Sequence, residues 1–203
     1  MSQLSRIVKI NNYTVVTNFK CMFSSLNLLQ IDQYNPKVKS NVIFLYRNIF
    51  KKLISCFLHW CVGYKKSNNK RWLHKILYNL KHFNYKLFNN LLIEDKLIEA
   101  FKMFLDNLKY IFKLNPHLHP QVYILKNNSI SKIDNFINID KSDDITKFEK
   151  LICQKTSKTV STSKVSACIL FNFINNDPYY SELIKNVYHE DIKYFQNLNV
   201  SLI

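Results

Sequence analysis

Side chains able to do chemistry are thinly scattered along this sequence, and the ones that gather are cationic. Lys65, Lys66, Lys70, Arg71 and Lys75 lie close together, interleaved with Tyr64 and Trp72. A lysine ammonium meets phosphate as a point charge and discriminates little between bases, so this cluster suits the backbone of a folded RNA or of a duplex. The Tyr64 and Trp72 rings could stack on bases, although Trp72 would equally serve a core. His117 and His119 flank Leu118 between Pro116 and Pro120. Such a pair could bind metal or phosphate or supply acid–base chemistry. No nucleophile or carboxylate cluster stands beside it, and the expected setting is an exposed loop tip. Cys56, His59 and Cys61 superficially suggest a metal site, but zinc takes four convergent ligands and both cysteines fall on or near an apolar helical stripe. Core packing is the expectation. The acid pairs Glu94–Asp95 and Asp143–Asp144 stand at expected helix N-termini, where the dipole accounts for them, and Glu190–Asp191 reads as a surface pair. No catalytic residue, metal or cofactor is expected.

Charge is distributed unevenly along the chain. Up to Leu92 the only carboxylate is Asp32, against fifteen Lys and Arg; from Ile93 onward fourteen Lys and Arg face thirteen Asp and Glu. The net charge is therefore +14 for the first part and +1 for the second, together the +15 of the whole. A field of this sign attracts polyanions and points to nucleic acid or an anionic membrane. The single glycine, Gly63, excludes phosphate-cradling loops of the P-loop or dinucleotide type, which need several glycines for positive φ and close backbone approach. Lys outnumbers Arg 26 to 3, and Asn, Ile, Phe and Tyr are abundant where Gly, Ala and Pro are scarce, the mark of an AT-rich genome. Five widely spaced cysteines fit a reducing compartment, mostly as small buried hydrophobes. Arg6, Lys9, Asn11 and Asn12 interrupt the N-terminus, which does not read as a signal peptide.

These residues need elements to place them. Residues 1–34 show no sustained period and read as an extension, with one short strand around Tyr13–Val16. Asn41–Val62 reads as an amphipathic helix, with Ser40 as N-cap and Gly63 as C-cap; Arg47, Lys51 and Lys52 break it near its centre and exclude a membrane span. A second helix is expected through Ile76, Leu77 and Leu80. The stripe Leu97, Ile98, Phe101, Phe104, Leu105, Leu108, Ile111, Phe112 predicts one long helix over Glu94–Leu114. Gln121–Leu125 and Ile130–Ile139, joined by a polar turn, predict a β-hairpin. Helices follow over Asp143–Gln154 behind a Ser142 cap, over Lys164–Ile174, and over Ser181–Gln196. The expected fold is mainly α: a bundle of about six helices over 35–203, with one protruding hairpin around 121–139.

Several of these segments, in order, resemble the seventh small-subunit ribosomal protein of the bacterial and organellar type. Phe101, Leu105, Asp106, Asn107, Leu108 and Lys109 are similar to that family's F-x-x-A-[LV]-[DE]-N-[LV] helix, and Gln121-Val122 to its ribbon. Asn35-Pro36-Lys37 with Ser40 is similar to its opening, and Gly63-Tyr64-Lys65-Lys66-Ser67 to its G-K-K-S turn. Ile76–Asn79 resembles the helix after that turn, and Ile184–Asn197 the last helix. Asn115–Pro120 stands where the family carries an Arg- and Gly-rich segment. The resemblance implies a structural protein of an organellar ribosome, bound to the 3′ major domain of small-subunit rRNA in the head, beside neighbouring head proteins. On it, Lys65, Lys66, Lys70, Arg71 and Lys75 would hold rRNA phosphates, assisted by Lys37, Lys39, Lys51 and Lys52. His117, His119, Gln121 and Lys126 would sit on the ribbon near exit-site tRNA and mRNA. A mitochondrial origin is implied first and a plastid origin second.

Two other classes compete. One is a peripheral membrane or respiratory-complex accessory protein that lays 41–62 in a lipid interface. The other is a DNA-binding protein of an AT-rich virus or parasite. A hydrolase built on His117, His119 or a cysteine comes last.

Overall fold

Val42-Ile43-Phe44-Leu45-Tyr46 is buried at every position, which a helix lying half in solvent does not allow and a strand covered on both faces does. The computed structural model describes residues 5–18, 25–37, 41–62, 77–115, 117–156, 164–200 and 202–203, in which this run is strand β4. It belongs to a five-stranded sheet with β1 (Ser5–Ile10), β2 (Tyr13–Asn18), β3 (Gln33–Tyr34) and β5 (Asn135–Asn138), in the order β3-β1-β2-β4-β5. β1 is antiparallel to β2 and β3, whereas β4 runs parallel to both β2 and β5.

Contacts divide the chain into two units. The sheet unit comprises Met1–Asn48, Pro120–Thr159 and Tyr194–Leu202; the helical unit comprises Ile49–His119 and Val160–Lys193, with Ile203. In the sheet unit, alternate side chains define two buried faces. Val8, Ile10, Val15, Ile43, Leu45 and Ile137 pack against Leu26 and Leu29 and against Phe148 and Ile152 of helix α6 (Ser142–Ile152). On the other face Phe44, Tyr46 and Phe136 surround Phe195, whose ring lies 6.1 Å from Phe44 and 4.8 Å from Tyr46. Each such fully buried side chain contributes about 1.5–3 kcal/mol. The β1–β2 turn puts Asn11 at φ 52, and its Nδ2 donates to the Ile152 carbonyl at 2.6 Å, closing the end of α6.

The helical unit holds α1 (Ile49–Phe57), a π-helical turn (Leu58–Val62), α2 (Tyr85–Ile93), α3 (Leu97–Asp106), α4 (Leu108–Leu114), α7 (Lys164–Asn176) and α8 (Pro178–Val187). α5 (Tyr123–Asn127) lies in the sheet unit, and α9 (His189–Gln196) runs out of the helical unit at Lys193. Phe57 of α1 meets Phe101 and Phe104 of α3 at ring distances of 4.8 and 5.4 Å. Asp177 caps α8 by accepting from the Tyr180 amide, and Pro178 occupies the first helical turn, where its missing N–H costs nothing.

Helix predominates, as expected, but a bundle of about six helices with one hairpin is not what forms. Among the described residues there are nine α-helices with both ends described, the helical residues Leu77–Asn79 and the five-stranded sheet. Residues 5–18, taken from sequence as part of an extension, form the one tight hairpin of the sheet. The expected hairpin around 121–139 is instead a helical turn, α5, followed by β5. β5 pairs in parallel with β4, a partner some ninety residues earlier in the chain. No local pattern specifies such a pairing, which needs a long crossover. The expected helix over Glu94–Leu114 breaks at Asn107, whose Nδ2 turns back to the Met103 carbonyl at 2.9 Å. Ser142 lies one residue inside α6 and makes no cap bond, and Ser181–Gln196 divides at Tyr188. The Ser40 and Gly63 caps and the start of the helix through Ile76 lie outside the described residues.

Candidate nucleic-acid interface

The basic half of the sequence does not map onto one unit. The sheet unit carries thirteen Lys and Arg and six Asp and Glu, and the helical unit sixteen and eight, for net charges of +7 and +8. Each is basic in its own right. Lys9, Lys37, Lys81 and Lys86 are exposed and available to an anion. The cluster Lys65, Lys66, Lys70, Arg71 and Lys75 lies outside the described residues, as does Lys39.

The remaining predicted contacts are placed, and several face inward. Lys51 of α1 is half-buried, with its Nζ 5.7 Å from the centre of the Phe171 ring. Lys52 is fully buried: its Nζ donates to the His119 carbonyl and stands 5.6 Å from the Tyr188 ring centre. A buried ammonium in this position is not presented to rRNA, and Lys52 is withdrawn from the phosphate-binding set. The carbonyl and the ring face offset the cost of burying it.

One turn along α1, the Cys56 thiol donates to the His117 carbonyl at 3.3 Å. Lys52 and Cys56 thus hold the 117–119 loop by its backbone. That corrects the expected loop tip: Leu118 is completely buried and both histidines are partly so. Burial lowers the His119 pKa, and the Lys52 charge adds to this against a backbone hydrogen bond that raises it. Cys56 and Cys61 are buried as expected, and burial beside Cys56 pushes the Cys61 thiol well up, away from reactivity. Cys153 and Cys168 are exposed, so burial holds for two of the four described cysteines where it was expected of most. Asp191 is also buried, in the first turn of α9, and Glu190–Asp191 is not a surface pair.

Gln121, expected on a protruding ribbon, is completely buried in the sheet unit. Its Oε1 accepts from the Arg47 amide and its Nε2 donates to the Arg47 carbonyl, both at 2.8 Å. Asp140, just past β5, accepts from Arg47 Nε and from the Asn48 amide, each at 3.0 Å. Asn138 Oδ1 in turn accepts from the Asp140 amide. This network joins the carboxyl ends of the parallel strands β4 and β5. Sequence reasoning missed it, and the one available signal was Arg47 itself, an arginine where lysine is the rule. Of the four ribbon residues only Lys126 is exposed, on α5, with its Nζ 5.9 Å from the Tyr123 ring centre.

The chain matches no family model, no curated protein and no solved structure. Among the described residues no three His, Cys, Asp or Glu side chains are grouped to hold a metal ion, and no helix is long and apolar enough to cross a membrane. Among the described residues, exposed lysines stand on each unit, whereas Lys52 and Gln121 turn inward and hold neighbouring segments of their own unit.

Proposed function

We propose that this protein binds structured RNA through its phosphates, as a non-catalytic component of a ribonucleoprotein particle. The observation that carries the proposal is the single carboxylate among the first ninety-two residues, set against fifteen Lys and Arg. The predominance of lysine suits phosphate rather than base edges, and the exposure of Lys9, Lys37, Lys81 and Lys86 leaves them free to approach it. The particle to test first is the small ribosomal subunit of an organelle, with the 3′ major domain of its rRNA and the neighbouring head proteins as partners. That narrower form rests on the collinear motifs from Asn35 to Asn197. It no longer includes contact with exit-site tRNA and mRNA by a ribbon, because 121–139 does not form one.

Lipid is the weaker partner. The apolar face of α1 that would enter a bilayer interface is buried through Ile49, Phe50, Leu53, Ile54 and Phe57. Sedimentation of an organelle lysate through a sucrose gradient, with and without RNase, tests the particle. Co-migration with small-subunit rRNA that RNase abolishes is expected. Migration at the top, or with membranes regardless of RNase, would overturn the proposal.

A further inference from the structure

Within the helical unit, α8 turns one face inward through Ile184 and leaves a second face beside α4, bordered by His189 at the start of α9. Tyr179, Glu182, Leu183, Asn186 and Val187 form that face, at the three-to-four spacing of a helical stripe. Together with α4 and the end of α3 it makes an open groove of about 940 Å³. Leu105, Phe112, Leu183 and Val187 give it an apolar floor. Two tyrosine rings stand out from the groove, Tyr110 at 62% and Tyr179 at 65% exposure. Exposed aromatic rings around an apolar floor are the composition of a protein interface core.

The charges select the occupant. Lys109 and Lys113, one turn apart on α4, are exposed along one wall, and Glu182 is exposed on the other. Asp106 also lines the groove and hydrogen-bonds the Tyr180 hydroxyl; burial and this carboxylate raise the Tyr180 pKa to about 12. Two lysines and two carboxylates leave the groove neutral in a chain of net charge +15. A polyanion has better places to bind on this molecule. A neutral, apolar groove with a basic wall and an acidic wall fits a helix that is apolar below, acidic on one flank and basic on the other. The ten residues of α8 span about 15 Å, room for two to three turns.

We propose that this groove receives an amphipathic α-helix of a partner protein, its acidic flank along Lys109 and Lys113 and its basic flank along Glu182. The site is independent of the RNA reading, and it stands whether or not the partner belongs to a ribosome. The test uses the full chain and three stapled helical peptides that share a Leu/Phe face. One carries Glu on one flank and Lys on the other, one carries Lys on both, and one carries Glu on both. Fluorescence anisotropy is expected to show the mixed-flank peptide binding about tenfold more tightly than either of the others. The K109E/K113E variant, changed only at exposed positions, turns both walls acidic and should prefer the peptide with Lys on both flanks. Equal binding of the three peptides, no binding, or a preference unchanged by K109E/K113E would overturn the proposal. So would displacement of the peptide by a single-stranded oligonucleotide, or self-association of the chain lost in K109E/K113E, since the groove would then have a different occupant.

Discussion

In the sheet unit Gln121 meets both backbone groups of Arg47, and Asp140 meets its guanidinium and the next amide. The helical unit buries its polar groups on other terms. Lys52 is held by one carbonyl and a ring face, and the hydroxyl of Tyr188 is completely buried with no hydrogen-bond partner among the described residues. The sheet unit must join strands from distant parts of the chain, and directional side-chain bonds fix their ends in register. The helical unit is assembled largely from local turns and aromatic packing, and it tolerates an unsatisfied group at a cost of about 1–3 kcal/mol. Polar specificity is concentrated where topology is non-local.

The largest effect should come from breaking the satisfied network. Asp140→Ala leaves Arg47 and the Asn48 amide without this acceptor, and Gln121→Ala removes the 2.8 Å partner from both backbone groups of Arg47; each should cost about 2–3 kcal/mol in denaturant unfolding. Additive losses in the double variant would show that the two side chains act separately, and a smaller combined loss that they form one network.

The opposite sign is expected in the helical unit. Tyr188→Phe removes the orphaned hydroxyl and keeps the ring beside Lys52, so stability should rise by about 1 kcal/mol. Burial, with smaller contributions from Cys56 and Asp191, holds the Tyr188 pKa well above its ordinary 10.0. The stability linked to keeping this phenol protonated is present below pH 10 and is lost as the pH rises through the folded-state value. Tyr188→Phe should therefore flatten the alkaline fall of the unfolding midpoint. A loss of stability would mean that the hydroxyl has a partner.

The smallest effect concerns the backbone. Seven non-glycine residues among those described have positive φ, and four of them are Asn: Asn11, Asn35, Asn41 and Asn199. With one glycine in the chain, Asn takes the left-handed positions that glycine would otherwise hold. Cys153, at φ 53 after α6, is the least suited of the seven. Cys153→Gly should add about 0.5 kcal/mol, read as a small rise in the midpoint.

The same contrast governs what could be read in advance. The stripe from Leu97 to Phe112 and the apolar setting of Cys56 and Cys61 were legible, because a helical stripe is written in neighbouring residues, whereas α8 starts at Pro178 behind an Asp177 cap, three residues before the expected Ser181. β4 was not: five consecutive apolar residues fit a helical stripe and a doubly covered strand equally well. Gln121-Val122-Tyr123-Ile124-Leu125 has a strand's composition and forms a helical turn, because tertiary packing overrides propensity in so short a run. Lys52 and Gln121 looked like surface contacts for the same reason, since their partners, His119 and Arg47, lie 67 and 74 residues away.

The most direct test of phosphate binding is the salt dependence of affinity for a structured RNA. Wild type should show a steep linear fall of log K with log salt, and a variant with Lys65, Lys66, Lys70 and Arg71 changed to Gln should show a slope shallower by about 3 to 4. An identical slope in the two proteins would remove these residues from the interface, and a flat slope in wild type would contradict phosphate binding altogether.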